Sequence, residues 1–164
     1  MTKLEIEIIK CDDLELDNTN ARIHDENNIR VLAASLQQFG QRKPIVITTA
    51  NIVVAGNGTL QAAQLLGWES ISCVRVPIDW SIERIQAYAL TDNRTAELAE
   101  WDIGALREQL DSLDSLYDIE SLGFASYLDT KETPAIKEFT DFSGDLNTSH
   151  QCPKCKYEWN GANR

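Results

Sequence analysis

The sequence predicts a mixed α/β (α+β) fold: a small mixed sheet with flanking helices, followed by a C-terminal helical segment. Three features carry the prediction. Short apolar or alternating runs fall at residues 3–9, 45–47, 52–54 and 71–76, the pattern of strands. Apolar residues recur at helical spacing over 28–39, 60–66, 81–91 and 102–116. A glycine-rich junction, Gly56-Asn57-Gly58-Thr59, joins a strand directly to a helix. With 164 residues, 43% hydrophobic and 25% charged, the chain can bury one core, and disorder throughout is excluded.

In chain order, Leu4, Ile6 and Ile8 alternate with Lys3, Glu5 and Glu7, the period of a half-buried strand. Residues 17–28 are rich in Asp, Asn, Thr, Arg and His, a polar loop of the kind that holds functional side chains. Ile29, Leu32, Ala33, Leu36 and Phe39 form a helical stripe that Gly40 stops. Ile45-Val46-Ile47 and Ile52-Val53-Val54, separated by a turn at Asn51, predict a hairpin over 44–55. The helix after Thr59 ends at Gly67, and a strand over 71–76 stops before Pro77. Helices follow at 81–91 and 102–116, with a short one at 118–128 around Ile119, Leu122, Phe124 and Leu128. We expect four regions: a core over 1–96, an acidic helical extension of the same domain over 97–129, a linker over 130–149, and a small tail over 150–164. The linker is marked by Thr, Ser, Gly, Asp and Asn. There is no internal repeat.

Charge is unevenly distributed. The net charge is −11 with neutral histidines. Residues 97–129 hold nine acids and one base, whereas 1–96 hold twelve acids and nine bases. An acidic surface repels nucleic acid, which counts against nonspecific DNA binding by the whole chain and leaves open a basic face on the first half. No run reaches membrane-span length, and the N-terminus has no signal-peptide block. The expectation is a cytoplasmic protein without a membrane partner, its cysteines reduced.

The chemistry-bearing residues form three groups. The helix N-terminus after Gly56-Asn57-Gly58-Thr59 presents backbone N–H groups and partial positive charge, with Gly56 and Gly58 allowing close approach. Thr59 can cap or donate its hydroxyl, and Asn57 can donate an amide. On local chemistry the junction is either a phosphate cradle or a tight turn. Asp92, Asn93 and Arg94 stand at the end of the predicted 81–91 helix. An acid beside an amide can hold a hydrated divalent ion and a guanidinium can take phosphate, or the three cap and pin the helix. Arg22, His24, Arg42 and Lys43 add a basic set that could converge on the same anion; His24 is the one candidate general base in this half.

Taken together, Asn20-Ala21-Arg22, Leu32 to Gly40 (LAASLQQFG), Lys43 to Val46 (KPIV), Val54 to Ala63 (VAGNGTLQAA) and Asp92-Asn93-Arg94 resemble, in order, the N-terminal domain of the ParB family. The resemblance spans about residues 3–129 and implies the ParB/sulfiredoxin fold. Residues 92–102 (DNRTAELAEWD) and Leu122-Gly123-Phe124 are similar to ParB-like domains of phages and of DNA-methyltransferase fusions. The resemblance implies binding of a nucleoside triphosphate, CTP or ATP, with Mg²⁺. Arg22, Gly56, Asn57, Gly58, Thr59, Asn93 and Arg94 would be nucleotide contacts, and Asp92, Asn93 and Arg94 the catalytic group. It also departs from the family, which commonly carries Arg where Thr59 stands and His or Glu where Asn57 stands. A hydroxyl does not replace a bidentate phosphate donor. The sulfiredoxin-type cysteine is missing from the motif, which excludes sulfinic-acid reduction; Cys73 reads as a core residue of a strand.

In the tail, Cys152 and Cys155 form a CPxC turn after His150 and before Tyr157 and Trp159. Two thiolates so spaced suit one edge of a tetrahedral Zn²⁺ site with His150 as third ligand and a fourth from elsewhere or a second chain; the alternative is a metal-free tail. The leading functional expectation is a ParB-like nucleotide-binding protein of phage or plasmid type. It would act on or beside DNA as a nuclease-like or modification-associated accessory, with Mg²⁺-dependent NTPase or nuclease activity left open and a homodimer allowed. The alternative is a non-catalytic module that docks a DNA methyltransferase or other phage protein through residues 97–129. A small-molecule kinase lacks an identifiable catalytic acid.

Overall fold

The computed structural model describes residues 4–128, 150–154, 156 and 158–159. The chain divides into two units, Met1–Asp129 and Thr130–Arg164. The linker expected over 130–149, together with Cys155 and Tyr157, lies outside the described residues.

The first unit is built on a five-stranded mixed sheet. Its strands are β1 (Ile6–Lys10), β2 (Glu15–Leu16), β3 (Ile45–Ile47), β4 (Ile52–Ala55) and β5 (Ser70–Arg75), in spatial order β1-β5-β3-β4-β2. β1 runs antiparallel to β5 and β3 antiparallel to β4, while β3/β5 and β2/β4 are parallel. The hairpin turns at Asn51, whose φ of 63° is one that Asn tolerates. Helices α1 (Glu26–Phe39) and α2 (Asn57–Leu65) pack on each other and cover one sheet face. Leu36, Ile47, Val53, Leu60, Ile71 and Cys73 fill the space between.

Four expectations need correction. The alternation at the N-terminus has the right period and the wrong face. Register sets Glu7 opposite Cys73 and Ile9 opposite Ile71, so Glu7 and Ile9 share the core side, and Ile6 and Ile8 are 64% and 67% exposed. Glu7 meets Arg75 at the rim at 2.9 Å. Second, the helix expected to end at residue 91 is α3, running Ile82–Glu97, so Asp92, Asn93 and Arg94 are interior to it. No Gly or Pro interrupts 82–97, and the Arg94–Glu97 pair supports the last turn. Third, the helix expected over 102–116 is α4, Ile103–Leu113, started by Asp102, whose carboxylate accepts from Ala105 N–H at 3.0 Å. Fourth, residues 120–124 form a wide turn broken at Gly123 (φ +91°) before α5 (Ala125–Leu128). A Cβ there would stand 3.0 Å from Val31 Cγ1, so this turn lies against α1.

The carboxyl-terminal part of this unit has its own small core of Leu106, Leu110 and Ile119, joined by Tyr117, Phe124 and Tyr127. A three-residue 3₁₀ turn at Cys11–Asp13 and the short β2, neither foreseen, carry Cys11 and Leu14 into the main core. In the second unit, β6 (His150–Gln151) pairs antiparallel with β7 (Glu158–Trp159). Lys156 has φ +66°, and its N–H donates to the Cys152 carbonyl at 2.9 Å. No helix among the described residues is long and apolar enough to cross a membrane.

Candidate functional site

β4 runs straight into α2 through Gly56, and the sequence dictates that junction sterically. Gly56 has φ +100° and a Cβ built on it would lie 2.5 Å from Ile45 Cγ2. Only glycine fits. Having no side chain, it leaves α2 without a side-chain N-cap, so the first-turn amides of Asn57, Gly58 and Thr59 are available to an anion. Thr59 is therefore a first-turn residue and does not cap.

Asn57 is 5% exposed. Its side-chain oxygen accepts from Asp17 N–H at 3.0 Å, and its amide reaches the Val53 carbonyl at 3.4 Å. That side chain is committed to fastening the polar loop to the junction; its backbone N–H is what it offers a ligand. The loop is stiffened by its own side chains. Asp17 accepts from Thr19 N–H and hydroxyl at 2.8 and 2.7 Å, and Asn20 accepts from Arg22 N–H while its amide donates to the Arg22 carbonyl, both at 3.1 Å. α1 then starts on Asp25, whose carboxylate accepts from Asn28 N–H at 2.7 Å.

The loop, the junction and α3 enclose a cavity of about 250 Å³ lined by Arg22, His24, Gly56, Asn57, Gly58, Thr59, Asp92 and Asn93, with Asn20, Asn28 and Leu32 among the rest. The Arg22 guanidinium donates to Asn93 Oδ1 at 3.0 Å and stands 3.9 Å from Glu97. Asn93 donates its amide to the Ala89 carbonyl at 3.0 Å. Seven of the eight residues named from sequence as nucleotide contacts or catalytic group thus share one lining. Arg94 does not join them. It pairs with Glu97 at 3.1 Å and lines a neighbouring cavity with Ala21, Ile23 and Leu90, because residues 92–94 sweep a little over half a helical turn. Arg42 and Lys43 line another cavity, which shares only Thr59 and Leu32 with the first.

Asp92 is the one carboxylate in the lining. Burial pushes the Tyr88 hydroxyl above its ordinary pKa, and the Asp92 charge adds to the rise. Mg²⁺ is commonly held by one or two carboxylates plus phosphates and water, so the donor set fits a metal shared with a phosphate ligand. It would not form a cage by itself: among the described residues no three His, Cys, Asp or Glu cluster for a metal. Reading the sequence missed Asn28, Leu32 and Glu97. Glu97 had a signal, since it stands four residues after Asn93 on the same helical face. Of the expected zinc set, His150 and Cys152 fall in the β6 turn region and Cys155 outside the described residues.

A curled mixed sheet with a glycine-entered helix at a cavity defines the fold class expected from the sequence. The chain belongs to the ParB N-terminal domain family, whose sequence model matches residues 1–94. It is 33% identical over 55 residues to the ParB-like nuclease domain-containing protein YnaK of Escherichia coli K12, a match covering 34% of this chain and 63% of YnaK. Among solved structures it is similar to the C-terminally truncated chromosome-partitioning protein ParB from Caulobacter crescentus complexed with CTP-gamma-S. The TM-score there is 0.57 at 17% identity, over 72% of this chain and 68% of that one. It is also similar to sulfiredoxin from Arabidopsis thaliana, with a TM-score of 0.42 and 20% identity over 52% of this chain and 97% of that chain.

Proposed function

We propose that this chain is a nucleotide-binding ParB-like domain, taking CTP or ATP with Mg²⁺ in the cavity between the polar loop, the α2 N-terminus and α3. The observation that carries the reading is the shared lining: a guanidinium, three uncapped backbone amides and one carboxylate drawn from segments far apart in sequence. The amides of Asn57, Gly58 and Thr59 take phosphate oxygens, Arg22 adds a charged donor, and Asp92 orients the metal. When bound, Mg²⁺ supplies charge neutralisation of the phosphates. The Caulobacter relative complexed with CTP-gamma-S supports a nucleotide as ligand. Thr59 contributes a hydroxyl, so the cradle leans on backbone amides more than on charge. Arg94, paired with Glu97, acts at the outer rim.

The same reading assigns a role on or beside DNA, as a nuclease-like or modification-associated accessory of phage or plasmid type, with DNA and a DNA methyltransferase as partners and a homodimer as the assembly. YnaK's description as a ParB-like nuclease domain-containing protein supports the nuclease arm. Calorimetric titration with CTP, ATP and GTP, with and without Mg²⁺, tests the core of it. Saturable, Mg²⁺-dependent heat, with affinity weakened at least about tenfold in Arg22→Ala and Asp92→Ala, is expected; no heat with any nucleotide in a folded protein overturns it.

A second reading is favoured by one observation. Glu100, Asp102, Glu108, Asp111, Asp114, Asp118 and Glu120 are all exposed, beside Trp101 at 60% and Leu116 at 72%. An acidic surface with apolar anchors suits a basic protein partner. Partner capture undiminished in the nucleotide-weakened Arg22→Ala protein would favour this docking role. For the tail we propose Zn²⁺ held by His150, Cys152 and Cys155; about zero zinc per chain in reducing buffer sinks that proposal.

A further inference from the structure

We propose that His24 is a proton-linked ligand of the bound phosphate chain, so that nucleotide binding at this site takes up a proton and strengthens as pH falls through neutrality. The inference rests on the nucleotide reading above and names a residue which that reading does not use.

Two contacts fix the imidazole. A Cβ built on Gly58 would stand 2.8 Å from His24 Cε1, from His24 Nδ1 and from Leu32 Cδ1, so the ring lies directly against the backbone of the first turn of α2. That is where the uncapped amides are. The same edge of the ring is held by α1: Nδ1 stands 2.7 Å from Asn28 Oδ1. An amide oxygen only accepts, so Nδ1 carries the hydrogen and Nε2 is the ring nitrogen left for a ligand. In the neutral ring Nε2 accepts and opposes a phosphate oxygen; in the imidazolium it donates, with charge, to the same oxygen. Binding an anion therefore selects the protonated ring, and by linkage protonation strengthens anion binding.

The surroundings set the sign. α2 carries no charged side chain, the loop contributes Arg22 and Asp25, α1 contributes Glu26 and Arg30, and α3 contributes Asp92. A phosphate chain arriving between Arg22 and the α2 amides brings several negative charges beside the ring, more than Asp92 alone supplies. Glycine at 58 is what allows this proximity: any Cβ would displace the ring from the amides.

The test is CTP affinity, and affinity for inorganic tripolyphosphate as a base-free probe, from pH 5.5 to 8.5 for the wild-type chain, His24→Asn and His24→Gln. Protonation of the ligand itself is common to all three proteins and cancels in the comparison. The wild-type chain should gain about tenfold over His24→Asn on going from pH 8 to pH 6, the worth of roughly one charge-assisted hydrogen bond. His24→Gln, with a neutral donor near the Nε2 position, should bind without the extra pH slope. In proton NMR the His24 ring resonance, assigned by its loss in His24→Asn, should titrate at higher pH once CTP is added. Equal pH slopes in wild type and His24→Asn, or a His24 titration that CTP does not move, overturn the inference while leaving the nucleotide site standing. No binding of either probe at any pH by a folded wild-type chain overturns both.

Discussion

The Arg22 guanidinium donates to the Asn93 side-chain oxygen at 3.0 Å across 71 positions of sequence. This bond ties the polar loop to the middle of α3 within the lining of the cavity. Because Arg22 is exposed and its bond is charge-assisted but solvent-screened, its contribution to folding is small, at most about 1 kcal/mol. Its contribution to anion binding is larger. We expect Arg22→Ala to weaken CTP binding by at least about tenfold, roughly 1.4 kcal/mol, with an unfolding midpoint close to wild type. Arg94→Ala, which removes only the rim pair with Glu97, should leave affinity within about twofold. Parallel calorimetry and urea unfolding separate the two; the reverse ranking would move the site to the neighbouring cavity.

The glycines at the two ends of α2 make distinct demands on backbone and space. Gly67 has φ +69° with nothing within 4 Å of a built Cβ, whereas Gly56 has φ +100° and a Cβ would lie 2.5 Å from Ile45 Cγ2. Gly67→Ala should cost only the left-handed backbone strain, about 1 kcal/mol. Gly56→Ala adds overpacking against a buried strand and should cost several-fold more, about 3 kcal/mol or above. Denaturant midpoints at constant m value check the ranking. If the two cost the same, Ile45 yields and the junction is softer than its geometry implies.

Much of this fold is written in local pattern, and what is not is written in pairing. Helix α1, the 44–55 hairpin and the Gly56 junction were legible because capping residues, a turn Asn and a strand-to-helix glycine are short-range signals. The face of β1 was not. Leu4, Ile6 and Ile8 alternate like a buried stripe, and only the register with β5, set by residues about 65 positions away, turns Ile9 inward instead. For the site, sequence order supplied Arg22, the glycine junction and Asp92-Asn93, but helix continuity past residue 91 decided that Arg94 turns away. His24's place against Gly58 depends on how α1 packs on α2, a long-range contact with no local signature.

That register has a direct consequence for stability. Ile8 is 67% exposed on edge strand β1, and Ile71, the partner of Ile9, is 2% exposed. Ile8→Thr should change stability by no more than about 0.5 kcal/mol. Ile71→Ala should cost about 2–5 kcal/mol through lost burial and a residual cavity. Equilibrium unfolding of both variants measures the difference. A large cost at Ile8 would show that its face is covered.

Cys73 sets how the fold responds to alkali. The thiol is fully buried on β5, and burial pushes it up to about 11, with Glu7 and Cys11 adding to the rise and Arg75 opposing it. Burial raises Cys11 as well. A free thiol titrates at about 8.5. Between these values the unfolded chain loses a proton that the folded chain keeps, so the unfolded state binds fewer protons and stability falls as pH rises. The loss should begin near pH 8.5 to 9 and level off above about 11, with little contribution from this group at neutral pH. Cys73→Ala should lower stability at pH 7 by the size of the cavity yet flatten the decline between pH 9 and 11. Unfolding midpoints of both proteins across that range give the comparison. A wild-type decline no steeper than that of Cys73→Ala would mean that the thiol ionises in place and the strand tolerates the charge.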